Sequence, residues 1–185
     1  MADLNNLRVA IIATDGFEES ELTEPARVLQ EAGAQVEIIS LESGEIQAFR
    51  HHDKGITVKV DKTLEEVNPD DYDALQLPGG ALNTDTLRVE PKVKSFVKAF
   101  QEAGKPMAII CHAAWILVSA EVVNGRTLTS YHTIQDDIRN AGGNWVDQEV
   151  VVDKNWVTSR KPSDLEAFNQ EMINLFGSLK PAVSS

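Results

Sequence analysis

Short apolar runs alternate along this chain with longer amphipathic stretches, and that alternation narrows the fold more than any other feature. Residues 7–13 (Leu-Arg-Val-Ala-Ile-Ile-Ala), 35–40, 73–77 and 107–110 (Met-Ala-Ile-Ile) are β-rich and bounded by Gly, Pro or acidic turns. Between them, residues 21–32 place Leu22, Ala26, Val28, Leu29 and Ala32 on helical spacing, with Pro25 near the first turn and Gly33 past the end. Residues 90–103 do the same with Val93, Phe96, Val97 and Phe100. Strand, helix, strand in repetition predicts an α/β fold: a mostly parallel sheet covered by helices on both faces.

Other segments add detail. Residues 44–60 read as a β-hairpin or edge ribbon, with Ile56, Val58 and Val60 alternating against Thr57 and Lys59 and a polar turn over 50–55. Residues 149–153 and 156–159 form a second hairpin around Lys154-Asn155, and a short helix over 133–141 ends at Gly142-Gly143. The last helix spans 163–176, with Ser163 as N-cap and Glu166 at N3, followed by a frayed tail over 177–185. No repeat or linker interrupts the chain, so 1–185 is expected to be a single domain.

Composition excludes several classes. One cysteine rules out an internal disulfide. The start, Met1-Ala2-Asp3-Leu4-Asn5-Asn6, is polar, and no apolar run nears the ~20 residues of a membrane helix, so a cytoplasmic protein without a membrane partner is expected. A net charge of −12 disfavours a broad nucleic-acid footprint and leaves nucleic acid only as a modified base in a site. No dinucleotide fingerprint or phosphate loop occurs, so no cofactor is expected. His51, His52 and Asp53 lack a second ligand pair at suitable spacing; they read as an exposed hairpin tip, not a metal site.

Sites in such sheets form beyond the carboxyl ends of the strands. Candidate ends here are 15–21 (Asp-Gly-Phe-Glu-Glu-Ser-Glu), 77–80 (Leu-Pro-Gly-Gly) and Cys111-His112. Cys111 stands where an apolar strand meets a helix, on a sharp turn with free helix-terminal N–H groups close by; such groups favour a thiolate. A lone cysteine there also suits a small buried hydrophobe. Glu18 and Glu21 also suit acidic partners of a helix dipole, and Gly79-Gly80 a plain tight turn.

Together these motifs resemble the ThiJ/PfpI superfamily, in its PfpI branch. The likeness runs over about 7–177, through 15–22, through 77–80 with Asp85 and Leu87-Arg88, through 104–112, and through 140–160. It implies a flavodoxin-like three-layer sandwich with a reactive cysteine on the elbow. It also implies a glutamate beside the sulfur, Glu21 by one alignment and Glu18 by another, with Glu21 favoured. Backbone N–H groups of Gly80 and His112 would form the oxyanion hole. An acidic residue of a neighbouring subunit, matching Asp85, would pair with His112, which requires a homo-oligomer, at the least a dimer, with a hexamer left open. Ala113-Ala114 replaces the Gly-Pro common after the Cys-His pair in relatives, which puts substrate preference in question.

The activity implied is cofactor-independent hydrolysis of early methylglyoxal or glyoxal adducts on amines and thiols (protein deglycase), or the related glyoxalase reaction on free dicarbonyl. An intracellular cysteine peptidase and a redox-sensing stress protein or chaperone are the alternatives. An ionised Glu21 would repel a thiolate, so the reading requires a protonated Glu21 with a raised pKa beside a Cys111 with a lowered one.

Overall fold

The computed structural model of the protein describes residues 3–179. In chain order these form β1 (Arg8–Ile12), β2 (Phe17–Glu18), α1 (Glu19–Glu31), β3 (Gln35–Ser40), β4 (Glu45–Arg50), β5 (Asp53–Lys59), β6 (Lys62–Thr63), β7 (Ala74–Leu77), α2 (Ala81–Leu87), α3 (Pro91–Glu102), β8 (Met107–Ile110), α4 (Ala114–Ser119), β9 (Thr127–Leu128), α5 (Gln135–Asn140), β10 (Asn144–Trp145), β11 (Val150–Asp153), β12 (Trp156–Ser159) and α6 (Leu165–Ser178). The central sheet has seven strands in the order β11-β12-β8-β7-β1-β3-β6. Every pairing in it is parallel except β11 with β12.

Side chains of the central strands point alternately to opposite faces. Ala10, Ile12, Leu75, Leu77 and Ile109 pack with Val93, Phe96 and Phe100 of α3 and with α4. Val9, Ala74, Ala108, Ile110 and Val157 pack instead with Leu29 of α1 and Phe168, Met172 and Phe176 of α6. Both faces are dry, which is why these strands are apolar throughout rather than alternating. The flavodoxin-like sandwich is therefore present. β4 and β5 form the expected hairpin, and β2 joins it alongside β4 as a separate three-stranded sheet. Phe17, Ile46 and Ala48 seat that sheet against Ile11 and Leu22.

The strand order reverses direction between β1 and β7: the chain moves outward from β1 to β3 on one side, then returns to fill β7, β8 and β12 on the other. Connections diverge at such a point and leave a crevice at the carboxyl ends of the strands. The segments after β1, β7 and β8 carry Glu18, Gly79-Gly80 and Cys111 to that place.

Three local expectations are corrected. α1 starts at Glu19, so Pro25 lies inside the helix rather than in its first turn. Ser163 does not cap the last helix. A 3-10 turn, Pro162–Asp164, precedes α6, Asp164 occupies the cap position without a capping hydrogen bond, and its carboxylate is held by Arg160. α6 also runs through Gly177 and Ser178, where a frayed tail was expected; the rest of that segment beyond Leu179 lies outside the described residues.

Candidate functional site

Cys111 is the hinge of the site. Ile110 ends β8 in extended conformation, and Cys111 then turns to φ 63°, opening a 3-10 turn (Cys111–Ala113) that continues into α4. A left-handed backbone at a non-glycine residue costs about 1–3 kcal/mol and persists only where surroundings impose it. Here the Tyr131 N–H donates to the Cys111 carbonyl at 3.2 Å, and Ala113 and Ala114 are wholly packed behind the turn. The turn leaves the sulfur facing the backbone N–H groups of His112 and Gly80. Cys111 itself is only 7% exposed.

Glu21 reaches the same place from α1. It is 0% exposed, and its Oε1 accepts the Gly79 N–H at 3.0 Å. Its backbone is pinned by an unusual exchange. Pro25 has no N–H to give the carbonyl four residues back, which is that of Glu21. Gln76 of β7 fills the gap: its Nε2 donates to the Glu21 carbonyl at 3.2 Å. The central sheet thereby holds the acidic residue directly. Gly79 has to be glycine, because a Cβ there would collide with Glu21 Oε1 and lie 2.6 Å from Cys111 Cβ.

The electrostatics of the pair follow from this crowding. Burial, and then the nearby Glu18 charge, push the Glu21 pKa up to about 8, against the opposing pull of the Gly79 N–H and the Cys111 side chain. Glu21 is therefore protonated at neutral pH. Among the described residues its Oε2 has no hydrogen-bond partner of good geometry, and the Cys111 side chain lies within interaction range. Burial also pushes the Cys111 thiol up, and a charged Glu21 would push it further; the N–H groups of His112 and Gly80 pull the other way and do not prevail. That corrects the expectation of an acidic thiol. Backbone N–H groups at the turn compensate only part of the loss of water around sulfur. A second route to the thiolate is adjacent: His112 Nδ1 lies 3.3 Å from Cys111 Sγ. Burial, with His132 nearby, lowers the His112 pKa, which keeps the ring neutral with one unprotonated nitrogen but also makes it a weaker base.

The remaining candidates separate clearly. Glu18 lines the same cavity, but both its oxygens accept the His51 N–H at 3.2 Å, which ties it to the hairpin. Glu19 turns away to Arg50 and the Ile56 N–H. Asp85 sits exposed on α2 and does not line the cavity, so within one chain it does not meet His112. Gly80 holds φ 101° where a Cβ would strike Glu18 N at 2.8 Å and Phe17 Cα at 2.9 Å.

The cavity above Cys111 measures about 840 Å³. Its walls include residues that the sequence did not single out for a site. His51 and His52, read as a solvent-facing hairpin tip, form part of its rim with Phe49. Tyr131 stacks on His112 with ring centroids 4.7 Å apart, and Trp115, outside the cavity lining, meets the His112 ring edge-on at 5.4 Å. Asn83 links two of the three loops: its Oδ1 accepts the Thr14 N–H at 2.8 Å while its Nδ2 donates to Pro78 and Gly79 carbonyls. A second cavity of about 340 Å³, between α1 and α6, contains none of these groups. Among the described residues no cluster of three or more His, Cys, Asp or Glu is arranged to hold a metal, and no helix is long and apolar enough to cross a membrane.

Comparison with known proteins gives a consistent picture. A family model described as the DJ-1/PfpI family matches residues 7–175. The chain is 45% identical over 169 residues to Deglycase PfpI of Pyrococcus furiosus, covering 91% of this chain and 99% of that one. It is 43% identical over 171 residues to Protein/nucleic acid deglycase 2 of Escherichia coli (92% and 98%). YraA of Bacillus subtilis, provisionally named a cysteine protease, is 44% identical over 168 residues (91% and 97%). Among solved structures, Drosophila melanogaster DJ-1beta superposes with a TM-score of 0.84 at 28% identity, covering 96% of this chain and 92% of that one.

Proposed function

Since the chain belongs to the DJ-1/PfpI family, we propose that it is a cysteine-dependent hydrolase of the protein-deglycase type, acting in the cytoplasm on early adducts of methylglyoxal or glyoxal. The observation that carries the reading is a fully buried Glu21, its pKa raised by burial, set against the only cysteine of the chain on a strained strand–helix turn.

In this reading His112 Nδ1 takes the thiol proton as Cys111 sulfur bonds to the carbinol carbon of the adduct. The carbon–nitrogen bond breaks, and Glu21 gives its proton to the departing amine. The carbinol carbon remains on sulfur as a hemithioacetal. Glu21, now a carboxylate, removes the hydrogen from that carbon, and a proton returns to the neighbouring carbon, giving a thioester of the 2-hydroxy acid. Water cleaves the thioester to the free acid and restores the thiol. No external oxidant or reductant enters, since one carbon is oxidised as its neighbour is reduced. The Gly80 and His112 N–H groups would stabilise oxygen or sulfur charge as it develops. With free methylglyoxal the same steps give glyoxalase turnover.

The name of YraA and the 3.3 Å contact between Cys111 and His112 favour a cysteine peptidase as the second reading. That reading needs an acid to orient His112, and an Asp85 from a second copy of the chain is the proposed partner; a homo-oligomer is part of the proposal. Turnover of a methylglyoxal–amine adduct and of a casein-type peptide, by wild type, Cys111→Ser and Glu21→Gln at equal concentration, separates the two. Deglycase chemistry predicts adduct turnover lost in both variants and no peptide cleavage. Peptide cleavage that survives Glu21→Gln would replace it with the peptidase.

A further inference from the structure

Among the described residues, Lys161 is the only lysine or arginine lining the Cys111 cavity. Among the described residues its amino group has no ion pair, side-chain hydrogen bond or ring contact. Its neighbour Arg160 is the opposite case, held by Asp164 through Nε at 2.9 Å and Nη2 at 3.0 Å and by Asp147 through Nη1 at 2.9 Å. On a chain with a net charge of −12, a cation lining this cavity opposes the overall charge of the molecule. Such a charge focuses anions into a cleft that the rest of the molecule repels.

The size of the site points the same way. A three-carbon dicarbonyl occupies a small part of about 840 Å³, a volume in the range that encloses much larger ligands. The carrier half of an adduct must occupy the remainder. Lys161 and Tyr131 also line an adjoining cavity of about 170 Å³, so the space continues past them. Of the carboxyls in the main cavity, Glu21 is fully buried against the Gly79 N–H and Glu18 is hydrogen-bonded to the His51 N–H, and neither forms an ion pair with Lys161.

We propose that Lys161 is a specificity-determining residue that anchors a carboxylate or phosphate on the amine- or thiol-bearing half of the adduct. The site would then prefer adducts of small anionic carriers over neutral ones. The inference rests on the deglycase reading for the nature of the adduct, but anion selection at the cavity mouth is measurable without turnover.

The test pairs two measurements. The first is the ratio of kcat/KM for a charged and a neutral carrier: methylglyoxal adducts of N-acetylcysteine against its amide, and of guanosine 5′-phosphate against guanosine. The second is the ratio of rates at which iodoacetate and iodoacetamide alkylate Cys111, read by mass. In Lys161→Gln both ratios are expected to fall about fivefold, the size of a single charge contact near water, while Lys161→Arg retains them. A fall confined to one carrier pair identifies carboxylate or phosphate as the group bound. Ratios that stay unchanged in Lys161→Gln overturn the proposal, as does an equal fall in Lys161→Arg. If wild type turns over no adduct, the deglycase reading fails, and the alkylation ratio alone decides whether Lys161 selects anions.

Discussion

Arg126 and Glu21 are both ionisable side chains taken out of water, and the fold treats them in opposite ways. Arg126 is 6% exposed at the Asp153–Trp156 edge of the sheet. Its Nε donates to Asp153 Oδ2 at 2.9 Å, its Nη2 to the Asp153 carbonyl at 2.7 Å and to Asn155 Oδ1 at 3.0 Å, and its guanidinium lies 3.8 Å from the Trp156 ring centre. Burial alone would raise the Asp153 pKa, but the Arg126 hydrogen bond, the Thr127 N–H and the Arg126 charge hold it below the usual carboxylate range. Glu21, more deeply buried, receives one backbone hydrogen bond, no cation, and a pKa pushed up to about 8. The first region is satisfied and serves stability. The second is left unsatisfied beside a thiol, which is the condition for proton transfer at neutral pH.

The comparison is most exposed to Glu21→Gln. Turnover should fall roughly 10²–10⁴-fold, since an amide keeps the shape but cannot move a proton. Stability should change in the opposite direction. A folded pKa of about 8 against an ordinary 4.5 means that the folded state retains a proton the unfolded chain gives up, so stability falls as pH rises through that window. Removing the group should therefore stabilise the protein at pH 7 by on the order of 2 kcal/mol, read by urea unfolding. Lost turnover with lost stability would mean that Glu21 is an ordinary structural residue.

Arg126→Met probes the other region. Breaking a largely buried pair from one side should cost about 3 kcal/mol, with turnover per folded molecule unchanged. Because the Asp153 pKa is depressed, the pair's contribution is present above the ordinary carboxylate value and is lost as pH falls through the folded one. The stability difference between wild type and Arg126→Met should therefore shrink on acidification.

Gln76→Leu should have a smaller effect, costing about 1–2 kcal/mol by leaving the Glu21 carbonyl bare, together with a drop in kcat. Pro25→Ala in the same chain should restore part of both, because an alanine N–H can reach that carbonyl. No rescue would show that the Gln76 bond does not position Glu21. Glu18→Gln should change turnover least, since the amide oxygen can still accept the His51 N–H.

Much of this arrangement was legible in the chain, for reasons that also explain the gaps. Strands buried on both faces announce themselves as apolar runs, so β1, β7 and β8 were readable together with the loops after them. Glu18, Glu21, Gly80 and Cys111 follow from those strand ends. α2 was not readable: Ala81–Leu87 is short, and its Asn83 and Thr84 are buried because they hydrogen-bond loop carbonyls, not because they are apolar. The Ser163 cap failed because a 3-10 turn, Pro162–Asp164, comes before the helix, with the Asp164 carboxylate held four residues back by Arg160 rather than free to cap. The acidity expected of Cys111 failed for a similar reason, since a strand-to-helix turn signals helpful N–H groups but not how completely the fold removes water from sulfur. Pro25 held an unused clue: a proline inside a helix frees one carbonyl, and here that carbonyl is Glu21's.

The central claim is that Glu21 carries a proton at neutral pH. Infrared difference spectra between wild type and Glu21→Gln, with carbon-13 in the glutamate side chains, read that proton directly through the carbonyl stretch of the acid form. The account predicts an acid-form band at pH 7 that disappears with a midpoint near pH 8. A carboxylate spectrum for Glu21 at pH 7, with no acid band above pH 6, would contradict it.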